Sequence, residues 1–343
     1  KGLGLYIFDK NFLSTRAKYI KGRINKYAEK NKPEKVIQYD INKPLDILKN
    51  KNVKYLNGEH YLAKDLIIEK NYYLSKNEKL NIEQGVKIFF KKDATILSEG
   101  TIFFNGSKEK PILIYSNQKI GSLVLTNNDY NFNNVIFKNL SFPKDINKIL
   151  YGGINIINSN LTMLNVEIKN SNSEDAINIV SSKSYIKNLT ISDTSADAID
   201  VDFGELVFEN ITCKNISNDC LDVSGVKVKG KQFRAINIKD KGVSFGENST
   251  GFLSEANFID NKLAVAVKDG SDLSLSNYNL KNNKYDIAVF NKKKEFEGSR
   301  LNLDIIDKHK RLNILLGINN EIISSSAQKI KKIKNNYINS LFY

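Results

Sequence analysis

The chain has 343 residues, enough for one long solenoid or two ordinary domains, with 41% hydrophobic residues, four prolines and a formal charge of +14. Four prolines and no Gly/Ser tract exclude a Pro-rich or linker protein, and no apolar run nears the roughly 18–20 residues of a membrane helix. Arginine stands only at Arg16, Arg23, Arg234, Arg300 and Arg311, so the charge is lysine set among abundant Asn and Ile; it reads as base composition, and without Arg and aromatic clusters no nucleic-acid partner is expected.

Residue 1 is Lys and no charged-then-apolar leader opens the chain, so a trimmed, processed or excised segment is expected. Phe12, Leu13, Ala17, Tyr19, Ile20, Ile24, Tyr27 and Ala28 recur at roughly helical spacing, which predicts a helical capping region over 1–50. Leu80–Phe90, Thr95–Phe104 and Pro111–Tyr115 read as strand-bearing coils with Gly100 and Gly106 at corners.

The repeat then becomes explicit. Asn-apolar-x-apolar-x-Asn/Asp occurs from Asn134, Asn165, Asn188 and Asn210, with degenerate copies from Gln232, Glu255 and Asn277. The first step is 31 residues, marking a longer loop, and the later steps are 23, 22, 22, 23 and 22. A second apolar pair follows in each coil, as Ile177/Ile179, Ile199/Val201, Leu221/Val223, Val243/Phe245, Val265/Val267 and Ile287/Val289. Alternation with period two means strands with one buried face. Stacked in register, they make an all-β protein: a single-stranded right-handed parallel β-helix over 51–312. The Asn ladder is structural, because Asn tolerates left-handed backbone and can bond its neighbour in the next coil. Cys213 and Cys220 fall on core positions and are expected as buried free thiols. His60 and His309 are too far apart in sequence to suggest a His-based metal site or a Ser-His-Asp triad.

A solenoid exposes core at its ends and needs caps. Ile330, Ile333, Tyr337, Ile338 and Leu341 share one helical face, so 313–343 is read as a second helical cap in preference to a basic membrane-binding helix.

The register allows columns to be read down the stack. One runs Asp175, Asp197, Asp219, Lys241 at the corner before the strand; a second runs Asn178, Asp200, Asp222, Ser244 and points outward. Asp202, Glu247, Lys268 and Asp269 lie just past the strand. Coils are about 4.8 Å apart, so stacked carboxylates repel by roughly 3–4 kcal/mol at an effective dielectric near 20. Such a stack needs a calcium ion, a retained proton, or neutralisation by Lys241 and Lys268.

Residues 150–290 resemble the pectate-lyase-like superfamily of right-handed β-helices. Ala196-Asp197-Ala-Ile-Asp200, Asn218-Asp219-Cys220 and Lys241-Gly242-Val-Ser-Phe-Gly246 resemble the successive motifs of polygalacturonase-type glycoside hydrolases. The resemblance implies that Asp197, Asp219 and Lys268 are catalytic, with Asn218 in place of a second Asp, Lys241 in place of a His and Ala266 in place of an Arg. These departures favour β-elimination by a polysaccharide lyase, with Asp200, Asp202 and Asp222 holding calcium and Lys241 or Lys268 as a base whose pKa burial lowers. Asn218, Glu247 and Asp269 are the candidate substrate contacts. Gly2–Ile20 resembles a segment of spore-coat-H-like proteins, which implies the tail of a larger surface protein. The expected function is a secreted or cell-surface protein that binds an acidic polysaccharide, with cleavage by β-elimination or by hydrolysis left open; the competing expectation is a non-catalytic surface or coat module that binds glycan or protein partners. The walls of an expected cleft are Pro143–Tyr151 and residues 291–299.

Overall fold

The computed structural model describes residues 39–304, 312–324 and 330–343. The apolar periodicity between 12 and 31 and the spore-coat-like stretch lie outside them. Each full coil contributes three strands, and each strand pairs in parallel with its counterpart one coil on, giving a β-solenoid of about 12 turns. The three ladders are represented by Asp175–Val180, by the Lys183–Lys187 half of the long strand Lys183–Thr194, and by its Leu189–Ser192 half. Corresponding residues are held in register: Ile177 pairs with Ile199, Ile199 with Leu221, and Leu221 with Val243.

The bends between strands explain the Asn motif. Asn165, Asn188 and Asn210 all adopt positive φ, as do Asn170, Asp193, Asn215 and Asn237 at the following corner. A left-handed residue costs most side chains about 1–2 kcal/mol, and Asn bears it best because its amide can bond locally. Here the amide bonds along the stack. Asn188 Nδ2 donates to Asn165 Oδ1 at 2.8 Å, and Asn210 Nδ2 donates to Asn188 Oδ1 at 2.9 Å.

Inside, Phe208, Phe233 and Phe258 follow one another with ring centroids 5.9 and 5.7 Å apart. Gly230 makes this possible, since a Cβ there would lie 2.1 Å from Phe208 Cζ. Cys213 and Cys220 are fully buried, as expected, but they are joined in a disulfide and are not free thiols. Facing inward from the two sides of one corner, they sit with their Cα atoms 5.8 Å apart, within bonding reach.

The ends differ from expectation. Residues 39–50 hold a two-residue strand, Leu45–Asp46, that pairs with Tyr72–Tyr73, and one 3-10 turn, Ile47–Lys49; the solenoid has begun before residue 51. Past residue 312 the ladders continue through Ile314–Gly317, Glu321–Ser324 and Lys332–Ile333. Helix α1 is confined to Asn335–Phe342. It lies against the outer face of one ladder, where Ile338 and Phe342 bury against Leu263, Ala266, Ala288 and Phe290. The helical periodicity of the tail is real, but its apolar face found the side of the solenoid and not its open end. Among the described residues, no helix is long and apolar enough to cross a membrane.

The Asn rungs yield a direct test. Asn188→Ala should cost about 2 kcal/mol in a urea titration, from lost rungs and a strained left-handed bend. Asn188→Gly should cost about half as much, because it restores the backbone freedom and loses only the amide bonds.

Candidate functional site

The outer face of the ladder containing Asp175–Val180 changes character along the stack. Its central outward column reads Tyr73, Leu97, Val124, Asn155, Asn178, Asp200, Asp222, Ser244, Ala266 and Ala288. Both apolar ends are covered. Tyr39 and Ile41, with Ile146 and Leu150 of the long loop, pack on Leu97, Val124 and Ile157, and Ile41 bridges to Ile146. Helix α1 covers the other end. Between the two covers lies a polar window of six aspartates and two lysines on successive coils: Asp175, then Asp197, Asp200 and Asp202, then Asp219 and Asp222, then Lys241 and Lys268. The 143–151 loop therefore borders the window on one side, and α1 together with the loop from Asn291 borders it on the other.

The window is tightly bonded. Asn178 Nδ2 donates to Asp175 Oδ2 and Asp200 Oδ2, both at 3.0 Å. Asp197 Oδ1 accepts the Asp219 amide at 2.7 Å, and Asp219 Oδ1 accepts the Lys241 amide at 3.0 Å, so the corner column is a side-chain-to-backbone ladder. Lys241 Nζ lies 3.4 Å from Asp219 and also contacts Asp240, a partner that the sequence columns missed although it is the adjacent residue. Lys268 Nζ reaches back to Asp222 at 3.7 Å. Its stem passes over Gly246, where a Cβ would come within 2.9 Å of Lys268 Cε.

Burial sorts these residues by accessibility. Asp219 and Lys241 are each 2% exposed and Lys268 is 6% exposed, whereas Asp197, Asp200, Asp202 and Asp222 are half-buried. Burial, then the neighbouring Asp219 and Asp222, pushes the Asp197 carboxyl up to about 9. Burial, followed by Asp202, Asp175 and Asp222, holds Asp200 well above the usual carboxylate range. Asp175 is pushed up to about 7 by burial and then Glu174. Asp219 is pushed up to about 7 by burial, against the opposing pull of Lys241. Lys241 thus offsets at Asp219 part of a rise that no lysine offsets at Asp197.

The lysines behave oppositely to expectation. Burial works to lower both, but Asp219 and Tyr343 outweigh it at Lys241, and Asp222 and Tyr343 outweigh it at Lys268, so both are raised and stay charged. A buried ammonium with a carboxylate partner gives up its proton less readily than one in water, which removes the basis for either lysine as general base. Lys292 is the lysine of this region that is lowered, by burial and then by Lys268.

The other expected contacts take structural roles. Asp269 is fully buried, and its Oδ1 accepts the backbone amides of Lys292 and Lys293 at 2.7 Å each, anchoring the loop. Glu247 sits at positive φ and ion-pairs with Lys293. Asn218 is half-buried at the corner, where its carbonyl accepts the Asp240 amide at 3.2 Å. Asp200, Asp202 and Asp222 do share one face, but among the described residues no three His, Cys, Asp or Glu side chains converge to hold a metal ion. Tyr343, which no sequence column includes, sits against the window: Lys268 Nζ donates to its hydroxyl at 3.1 Å, and Lys292 Nζ lies 3.5 Å from its ring centroid.

No protein-family model and no curated protein matches the sequence. Among solved structures, the chain is similar to a mutant of the periplasmic alginate epimerase AlgG, at 11% identity and a TM-score of 0.49 over 82% of this chain and 78% of that one. It is similar to the enzymatically active domain of bacteriophage CBA120 tailspike protein 2, at 11% identity and a TM-score of 0.36 over 77% of this chain and 42% of that one. It is similar to an alginate lyase from Paenibacillus sp. str. FPU-7, at 10% identity and a TM-score of 0.30 over 77% of this chain and 91% of that one. At these identities the likeness is one of architecture.

The protonated carboxyls make stability depend on pH in a defined sense. Folded carboxyls at about 7 and about 9, against an ordinary value of 3.8, bind protons more tightly than in the unfolded chain. Their stabilising effect is complete below about pH 4 and is lost as pH rises through 7 and 9. The melting temperature should therefore fall between pH 5 and pH 9 (about the range these groups span), and Asp200→Asn, which keeps an acceptor for Asn178, should flatten the fall. An equally steep profile in Asp200→Asn would show that this carboxyl is not proton-bound in the fold.

Proposed function

We propose that this is a carbohydrate-acting β-helix protein that binds an acidic polysaccharide across the polar window and cleaves it by paired carboxyl chemistry. The observation that carries the reading is the split among carboxyls on one face: burial and like-charged neighbours push Asp197 and Asp200 up, while Asp222, one coil on, is ion-paired with Lys268. A carboxyl held up beside one paired with an ammonium is an arrangement that can supply an acid and a base. Asp197 or Asp200 donates its proton to the leaving glycosidic oxygen. Asp222 accepts one, either from C5 of a uronate, so that the C4–O bond breaks and a C4=C5 bond forms, or from a water that attacks the anomeric carbon. Asp219 is too deeply buried to touch a sugar; it positions Lys241 and the backbone of the corner. The disulfide supports a secreted or periplasmic setting, since such bonds persist where the surroundings are oxidising.

The internal satisfaction of the charges favours a second reading. Lys241 is already matched by Asp219 and Asp240, and Lys268 by Asp222, as in a scaffold that binds glycan without cutting it.

Purified protein incubated with pectate, alginate, chondroitin and heparosan-type polymers, with and without calcium, separates these. Ultraviolet-absorbing unsaturated ends identify elimination; new reducing ends without absorbance identify hydrolysis. Either activity should fall by about 10²-fold or more in Asp222→Asn and in Asp200→Asn, on the scale of general acid–base contributions. If no polymer is cut, the catalytic reading fails and the binding module stands.

A further inference from the structure

Three ammonium groups surround a single phenol beside the acidic stack. Tyr343 has Lys292 Nζ 3.5 Å, Lys241 Nζ 4.8 Å and Lys268 Nζ 5.7 Å from its ring centroid, and its hydroxyl accepts from Lys268 at 3.1 Å. Lys241 and Lys268 lie almost wholly beneath this cover. Ser244 stands between Asp222 and Ala266 in the outward column, fully buried, and its hydroxyl has no hydrogen-bond partner. Ser244 stands on the same face as Lys241 and Lys268, which pair with Asp219, Asp240 and Asp222, and a hydroxyl with nearby ammoniums is a donor set that suits an oxygen-bearing anion.

The element that closes this place is short. Helix α1 has eight residues and buries Ile338 and Phe342, with the Phe342 ring against Tyr285 and Phe290. Its polar ties to the rest of the chain run through Asn335 and Asn339: Asn339 Nδ2 donates to the Asn291 carbonyl at 3.2 Å, Asn335 Nδ2 donates to the Ile318 carbonyl at 3.2 Å, and Asn335 Oδ1 accepts the Asn291 amide at 3.2 Å and Asn320 Nδ2 at 3.4 Å. Asn339 Oδ1 is itself buried without a partner. Isolated helices this short are not stable in water, so α1 holds its shape only while docked.

We infer that Lys241, Lys268, Lys292 and Ser244 form a carboxylate-binding subsite, that Tyr343 occupies it in the free protein, and that the carboxylate of an acidic sugar displaces the Tyr343 hydroxyl and lifts α1. This rests on the reading of the window as a polysaccharide site and assigns the half of it that recognises charge. The phenol offers the ammonium a neutral acceptor, whereas a carboxylate offers a charged one and adds a charge–charge attraction that the phenol lacks. Apparent affinity is intrinsic affinity reduced by the closed fraction, so an arm closed about nine-tenths of the time masks affinity about tenfold.

The probes are oligomers of polygalacturonate and their methyl-esterified, uncharged counterparts, titrated into the full chain, Tyr343→Ala and Tyr343→Phe. Tyr343→Ala should bind polygalacturonate about tenfold more tightly than the unaltered chain. Tyr343→Phe, which keeps the ring and its apolar packing, should gain less, and the methyl-esterified oligomer should gain nothing. In hydrogen exchange, amides 335–342 should exchange faster on adding polygalacturonate while the solenoid strands do not change. Weaker or unchanged binding in both variants, or greater protection of 335–342 with the oligomer, overturns the subsite. If binding tightens but nothing is cleaved, the subsite stands and catalysis falls; if polymer is cleaved with no gain in either variant, the subsite falls alone.

Discussion

Parallel backbone hydrogen bonding between successive coils places each residue against the one a repeat earlier, at a spacing of about 4.8 Å. Any residue type recurring at that interval becomes a column, and a column magnifies its chemistry. Asn165, Asn188 and Asn210 become a continuous amide ladder; Phe208, Phe233 and Phe258 become a file of rings. Aspartate recurring at the same interval becomes a charge problem that a single aspartate on a loop would not meet.

The molecule answers that problem in two ways along one face. Among the described residues no lysine is bonded to Asp197 or Asp200, and burial with like-charged neighbours pushes both carboxyls up. Two and three coils further on, Lys241 and Lys268 turn back toward Asp219 and Asp222 and pair with them. The boundary between the two solutions passes between adjacent coils. Gly246 and the Asp197-to-Asp219 amide bond are part of the same arrangement, since the first clears a path for Lys268 and the second pins the corner.

The covers on either side give the window its limits. The long coil between Asn134 and Asn165 spends its extra residues on a loop whose Ile146 and Leu150 close over the apolar start of the face, and α1 closes over its apolar end. What remains open is the stretch whose outward residues are polar, the side chains that would be costly to cover.

The sequence by itself determined the solenoid, its repeat, the inward apolar columns, the left-handed Asn bends and the co-location of Asp197, Asp200, Asp219, Asp222, Lys241 and Lys268. All of these follow from a strict period, and a period is a local property that survives in one dimension. The tertiary structure decided what the period cannot carry. Cys213 and Cys220 pair because the two sides of one corner face each other across the interior. Lys241 and Lys268 remain charged because of which carboxylates they reach, Asp269 serves the backbone of a neighbouring loop, and the tail's helical face meets the side of the solenoid. Tyr343 comes to the lysines through a helix that leaves the repeat and folds back on it, and no interval in the sequence records that contact.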